Sequence, residues 1–134
     1  MKFTIESDHI KGNLAYGELS ISPIEKNGYR PFELFVSSLA GCSGTLLRTI
    51  LTKRKYPFQK IEMEVSSIRN PEEANRIERL SFTAHVLSDE PLMEELAEKI
   101  APLVIKNCGM IQSVIHSIEI SFVITSIPLN GDYR

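Results

Sequence analysis

At 134 residues, with 43% hydrophobic and 24% charged side chains, the chain has the composition of an ordinary folded domain and not of a disordered one. Its formal net charge of −2 gives no electrostatic case for binding nucleic acid or an anionic membrane. A domain of this size buries enough apolar surface to fold without staples, so its two cysteines have no obligatory structural duty.

The start, Met1 to Asp8, alternates polar and apolar residues and offers no leader-like apolar run, and uninterrupted apolar stretches stay far short of a membrane span. The expectation is a cytoplasmic protein with no membrane partner. Phe3 and Ile5 alternate with polar neighbours as a first strand. Gly12-Asn13 reads as a turn, and Leu14 to Ile21 as the returning strand. Asn27-Gly28 closes the next loop. Pro31 opens a long helix that ends near Lys55, ahead of Tyr56-Pro57, because the residue before a proline avoids helical backbone. Ile61, Met63 and Val65 mark a half-buried strand, and Asn70-Pro71 a polar turn. Leu80, Phe82, Ala84 and Val86 mark the clearest strand. Ser88 or Asp89 is positioned to cap a second helix, with Pro91 in its first turn and Leu92, Leu96, Ile100 and Leu103 as its stripe. Pro102 should kink or interrupt that helix, which ends at Asn107-Cys108-Gly109. Ile111 to His116 forms a further helical turn, and Ile118, Ile120, Phe122 and Ile124 a last strand. Residues 1–134 thus form a single α+β domain, and the alternation favours antiparallel sheets.

The first long helix is the most informative. Phe35, Leu39, Cys42, Leu46 and Ile50 share one stripe at about 100° per residue, which puts Cys42 on an apolar face at mid-helix. Small residues surround it from Ser37 to Thr45. The glycines at 41 and 44 each cost roughly 1 kcal/mol against alanine, which calls for close approach of another backbone or helix. Periodicity alone favours a small core residue at Cys42 over a reactive thiol, and mid-helix placement denies it its own helix N-terminus. The two cysteines make no CxxC, and His9, His85 and His116 show no metal-ligand spacing to them, so no metal or cofactor is expected.

The run Gly28-Tyr29-Arg30-Pro31-Phe32-Glu33-Leu34 through Ser38-Leu39-Ala40-Gly41-Cys42-Ser43 resembles the signature of the OsmC/Ohr family, in its OsmC-like subgroup. Cys108, in Lys106-Asn107-Cys108-Gly109, matches the family's second cysteine. The resemblance implies an intertwined homodimer, with antiparallel sheets wrapped around long central helices. It also implies a peroxidatic thiol at Cys42 and a resolving thiol at Cys108. In that chemistry a thiolate cleaves an organic hydroperoxide and becomes a sulfenic acid, the second thiol condenses with it, and an external dithiol restores both. The apolar stripe favours organic over hydrogen peroxide.

The sequence also departs from the family's reductases. Those proteins carry a glutamate directly after the helix-start proline and an arginine in the N-terminal region. Here Phe32 follows Pro31 and the glutamate is Glu33, about 180° around an ideal helix from Cys42. No arginine precedes Arg30, which with Lys11 is a candidate thiolate-supporting cation. Two functions are therefore carried forward. One is a thiol peroxidase for organic hydroperoxides; the other is an OsmC-fold protein that binds an apolar ligand or senses redox state with little peroxidase activity.

Overall fold

The computed structural model describes residues 1–129. The chain forms two compact units, Met1–Ser38 and the part from Leu39 onward, with the division falling inside one helix.

In the first unit β1 (Lys2–Ile5), β2 (Ile10–Asn13) and β3 (Glu18–Ile21) make an antiparallel meander. Gly12 lies within β2 and not in the turn expected from Gly12-Asn13. It pairs with Phe3, and a Cβ at this position would stand 2.9 Å from Phe3 Cε1. The glycine therefore makes room for a cross-strand ring. The turns fall on either side instead, closed by Glu6 N–H to the His9 carbonyl (2.9 Å) and Leu14 N–H to the Gly17 carbonyl (3.2 Å). After a 3-10 turn at Glu25–Asn27, Gly28 passes so close to β3 that a Cβ would lie 2.7 Å from the Ser20 carbonyl oxygen. Only a glycine lets the backbone through here. Tyr29 then donates its N–H to Ser20 (2.9 Å) and accepts from Ser22 (3.0 Å), and this pairing leads the chain to Pro31. Proline suits the first helical position, where its missing N–H would have had no partner.

Helix α1 spans Pro31–Lys53. Its end is a Schellman motif: Tyr56 N–H reaches the Leu51 carbonyl and Lys55 N–H the Thr52 carbonyl, both at 3.0 Å, with Lys55 at φ 57°. A non-glycine residue in left-handed backbone costs about 1 kcal/mol, so Lys55→Gly should stabilise the fold by roughly that amount. A rise in the urea unfolding midpoint at unchanged slope checks it. By length and composition α1 is long and apolar enough to cross a membrane. Its uninterrupted apolar runs are short because serine, threonine and glycine interleave with the apolar residues, which hides this property in the sequence.

The second unit holds β4 (Lys60–Asn70), β5 (Arg76–Ser88), α2 (Glu94–Asn107), α3 (Gly109–Val114) and β6 (Glu119–Pro128). Leu80, Phe82, Ala84 and Val86 of β5 are buried as their alternation predicts, and Phe82 stacks on Phe122 with ring centroids 6.0 Å apart. The strand order is β4-β5-β6, with β4–β5 antiparallel and β5–β6 parallel. The expectation of antiparallel sheets is thus corrected for the last pair. The two helices between β5 and β6 supply the long crossover that a parallel pair requires, and periodicity does not reveal direction.

Helix α2 begins later than expected. Ser88 is the last residue of β5, and its hydroxyl donates to the Glu90 carbonyl at 2.6 Å instead of capping the helix. Leu92 N–H donates to Ser126 Oγ of β6 at 2.8 Å, which holds the approach to α2 extended. The helix continues through Pro102 without interruption. Its buried positions are Ala97, Ile100 and Val104, whereas Leu103 is 37% exposed.

Candidate functional site

The buried positions of α1 are Leu39, Ser43, Leu47 and Leu51. The seam is therefore rotated from the stripe read in the sequence. Ser43, and not Cys42, occupies its middle, while Phe35, Cys42, Leu46 and Ile50 are half-buried on the adjoining face. A serine tolerates this position because its hydroxyl donates to the Ala40 carbonyl (3.3 Å) and faces Met63 Sδ of β4 (3.9 Å). The glycines do not mark a close approach within the chain. A Cβ on Gly41 would meet open space, and one on Gly44 would make ordinary contact with Met63 Cε at 3.7 Å.

Rotation of the seam leaves Cys42 partly accessible, and the second unit brings Cys108 to it. Cys108 is wholly buried at the joint between α2 and α3. The joint is tied on both sides: Cys108 N–H donates to the Val104 carbonyl and Gln112 N–H to the Cys108 carbonyl, both at 2.9 Å. Gln112 Nε2 and Asn107 Nδ2 satisfy the Ile105 (2.8 Å) and Leu103 (2.9 Å) carbonyls at the end of α2.

The first N–H groups of a helix have no partner inside it. Here Gly109 and Met110 open α3, and their amides act on the Cys42 thiol. The Met110 amide, then the Cys108 thiol, then the Gly109 amide hold the Cys42 thiol below the usual range, against the opposing effect of burial. Cys108 is pushed the other way, above the usual range. Burial is the main cause, the Ile111 amide opposes it, and the hydrogen bond and charge of Cys42 add to it. The two thiols are thus set apart: Cys42 ionises first and Cys108 keeps its proton. Both are free thiols. Such a pair can supply a thiolate nucleophile with a protonated second thiol in reach.

The donors to Cys42 belong to a helix start distant in sequence, so no local pattern around residue 42 could have revealed them. Arg30, the candidate supporting cation, lies in the first unit. Its Nε donates to Glu33 Oε1 at 3.0 Å in an exposed pair that raises the Arg30 pKa. His85 spans the second sheet, its Nδ1 2.7 Å from Thr125 Oγ1 and its Nε2 3.0 Å from Glu64 Oε2. Cross-strand register creates that network, which a lone histidine in a sequence does not announce. Among the described residues no group of three or more His, Cys, Asp or Glu could hold a metal ion. A cavity of about 830 Å³ lies along α2 and β6, lined by Ala97, Ala101, Ile105, Gln112, Phe122 and Ile124 among others.

The family model described as OsmC-like protein matches residues 24–123. No curated protein matches the chain. Among solved structures, a hypothetical protein from Aquifex aeolicus VF5 superposes with a TM-score of 0.83 at 18% identity, covering 95% of this chain and 94% of that one. An OsmC like protein from Mycoplasma pneumoniae gives 0.79 at 16% identity, covering 94% of each chain. The organic hydroperoxide resistance protein OhrB of Bacillus subtilis gives 0.63 at 17% identity, covering 92% of this chain and 96% of that one. At these identities the likeness establishes a shared fold.

Proposed function

The chain belongs to the OsmC-like family, and from that membership we propose that it is a thiol peroxidase that reduces organic hydroperoxides, with residues 1–134 acting as one functional domain. The observation that carries this reading is the cysteine pair, in which an amide-supported, partly accessible Cys42 stands beside a buried, protonated Cys108. Cys42 attacks the peroxide and Cys108 resolves the sulfenic acid. An external dithiol then returns both to thiols, and a reducing cytoplasm suits that cycle. The B. subtilis relative is named as an organic hydroperoxide resistance protein, which agrees with this substrate class. The decisive measurement is consumption of cumene hydroperoxide by the reduced protein with a dithiol reductant. Consumption at the rate of a protein-free control would reject the reading.

The protein is further proposed to be a homodimer. Phe35, Leu46 and Ile50 are only half-buried in the single chain, and Gly41 faces open space. A second copy would cover this apolar and small-residue surface. Sedimentation equilibrium at micromolar concentration should give twice the chain mass.

Arg30 remains a candidate support for the thiolate, and its engagement with Glu33 would have to loosen for that role. If Arg30 serves Cys42, Arg30→Ala moves the thiol titration upward, and an unchanged titration removes it from the site. The binding reading draws on the cavity beside α2, whose size suits an apolar ligand. It predicts saturable uptake of an alkyl probe with no peroxide consumed.

A further inference from the structure

We propose a second reactive site, on the polar face of the β4-β5-β6 sheet: Thr125 is an activated hydroxyl that takes an acyl group from an activated ester or thioester with an apolar chain. The site uses neither cysteine and does not depend on the peroxidase reading.

Strand register assembles it. Along β5, Leu80, Phe82, Ala84 and Val86 are buried in the core, so the alternate residues Ser81, Thr83 and His85 lie on the opposite face. His85 pairs with Thr125 of the parallel strand β6. From β4, Glu62 stands opposite His85 and Glu64 opposite Thr83. Lys60 Nζ holds Glu62 Oε1 at 2.7 Å, and it is Glu64 that reaches the ring, with Oε2 3.0 Å from His85 Nε2. On the other side of the ring Thr125 Oγ1 is 2.7 Å from Nδ1. These partners decide where the hydrogens lie when the ring is neutral. A carboxylate only accepts, so Nε2 carries the hydrogen and Nδ1 keeps a lone pair. The Thr125 hydroxyl is then the donor to Nδ1. A hydroxyl, an imidazole and a carboxylate in that order are the arrangement by which a weak nucleophile is deprotonated as it attacks.

The same hydroxyl borders a place for a substrate. Thr125 is among the residues lining the cavity of about 830 Å³ beside α2. Phe122 and Ile124 line it from the buried face of β6, and Val123 and Thr125 from the other face. The cavity therefore spans the edge of β6 that faces away from β5. Its lining is mostly apolar, which suits the chain of an acyl donor and leaves the carbonyl for Thr125. In the transfer, Thr125 Oγ1 attacks the acyl carbon as His85 Nδ1 takes the hydroxyl proton. A C–O bond forms, the bond to the leaving alkoxide or thiolate breaks with its electron pair, and the ring returns the proton to that group. One threonine and one acyl donor thus give a threonine ester and an alcohol or thiol, with no net oxidation.

The probe is p-nitrophenyl butyrate, offered to the reduced full chain. Bound butyrate is located by peptide mass after neutral hydroxylamine has cleaved any cysteine thioester. The Thr125 peptide should carry a butyryl ester. Thr83, on the same sheet face, is the internal control, because both His85 ring nitrogens are engaged by other groups. It should stay unmodified. No ester at Thr125, or equal labelling of Thr83 and Thr125, overturns the proposal. His85→Gln should slow Thr125 labelling about a hundredfold, as for loss of a general base. Labelling at the parent rate in that variant, with the parent's circular dichroism, also overturns it. Glu64 is a positioning residue, so Glu64→Ala should move the His85 ring nitrogen NMR shifts away from those of the Nε2–H form. Unchanged shifts overturn that role. Should His85→Gln fail to fold, the comparison of Thr125 with Thr83 in the parent still decides.

Discussion

Cys42→Ser should reduce hydroperoxide consumption to the protein-free rate while leaving the fold intact. Cys42 is half-buried outside the Leu39, Ser43, Leu47 and Leu51 seam, so exchanging sulfur for oxygen costs little packing. A serine hydroxyl does not ionise near neutral pH and cannot replace a thiolate that attacks an O–O bond. The pH dependence follows from the same site. Because the folded-state pKa of Cys42 is depressed, the thiolate is present above that pKa and is lost as pH falls through it. The rate should therefore rise with pH and reach its plateau at a lower pH than for an unperturbed thiol. A rate still climbing steeply above the ordinary thiol pKa would contradict the geometry. Residual consumption by Cys42→Ser would move the nucleophile elsewhere.

Much of the fold was legible in the sequence. The alternation of Leu80, Phe82, Ala84 and Val86 gave β5 because one face is buried along its whole length, a signal with no competing period. Pro31 and Tyr56-Pro57 bracketed α1 through backbone constraints that hold in any tertiary context. What misled was information held by partners. Gly12 looks like a turn residue, but its role is set by the Phe3 ring across the hairpin. Ser88 looks like a helix cap, but strand pairing and the Glu90 carbonyl claim it first. The direction of β6 depends on the crossover before it and leaves no mark in its own alternation.

The candidate site divides in the same way. Both cysteines were recognisable through the resemblance of their flanking runs, but their unequal environments were not. Cys42 falls on a nearly continuous apolar face, and only packing decides which side of that face is covered. The seam turns toward Ser43, which changes Cys42 from a core position to an approachable one. Its support comes from amides at the start of a six-residue helix far along the chain. An apolar helix face with a thiol, and a short helix start aimed at it, acquire a function only when the fold superimposes them.

Limited oxidation of the parent protein should produce a Cys42–Cys108 disulfide that a dithiol reverses, and Cys108→Ser should fail after one turnover. Both cysteines are free thiols, and a disulfide requires their sulfurs to close to about 2.05 Å, so the bond forms only if the backbone around them yields as far as that demands. Cys108 is buried, so peroxide meets the partly accessible Cys42 before it meets Cys108. Without the second thiol, Cys42 sulfenic acid persists and further peroxide carries it to sulfinic acid, which a dithiol does not restore. Consumption by Cys108→Ser should thus stop at about two equivalents per chain, with a mass gain of two oxygens accumulating on the Cys42 peptide. Steady turnover by Cys108→Ser at the parent rate would remove the resolving role. Two unmodified cysteines in the oxidised parent would return both residues to the core.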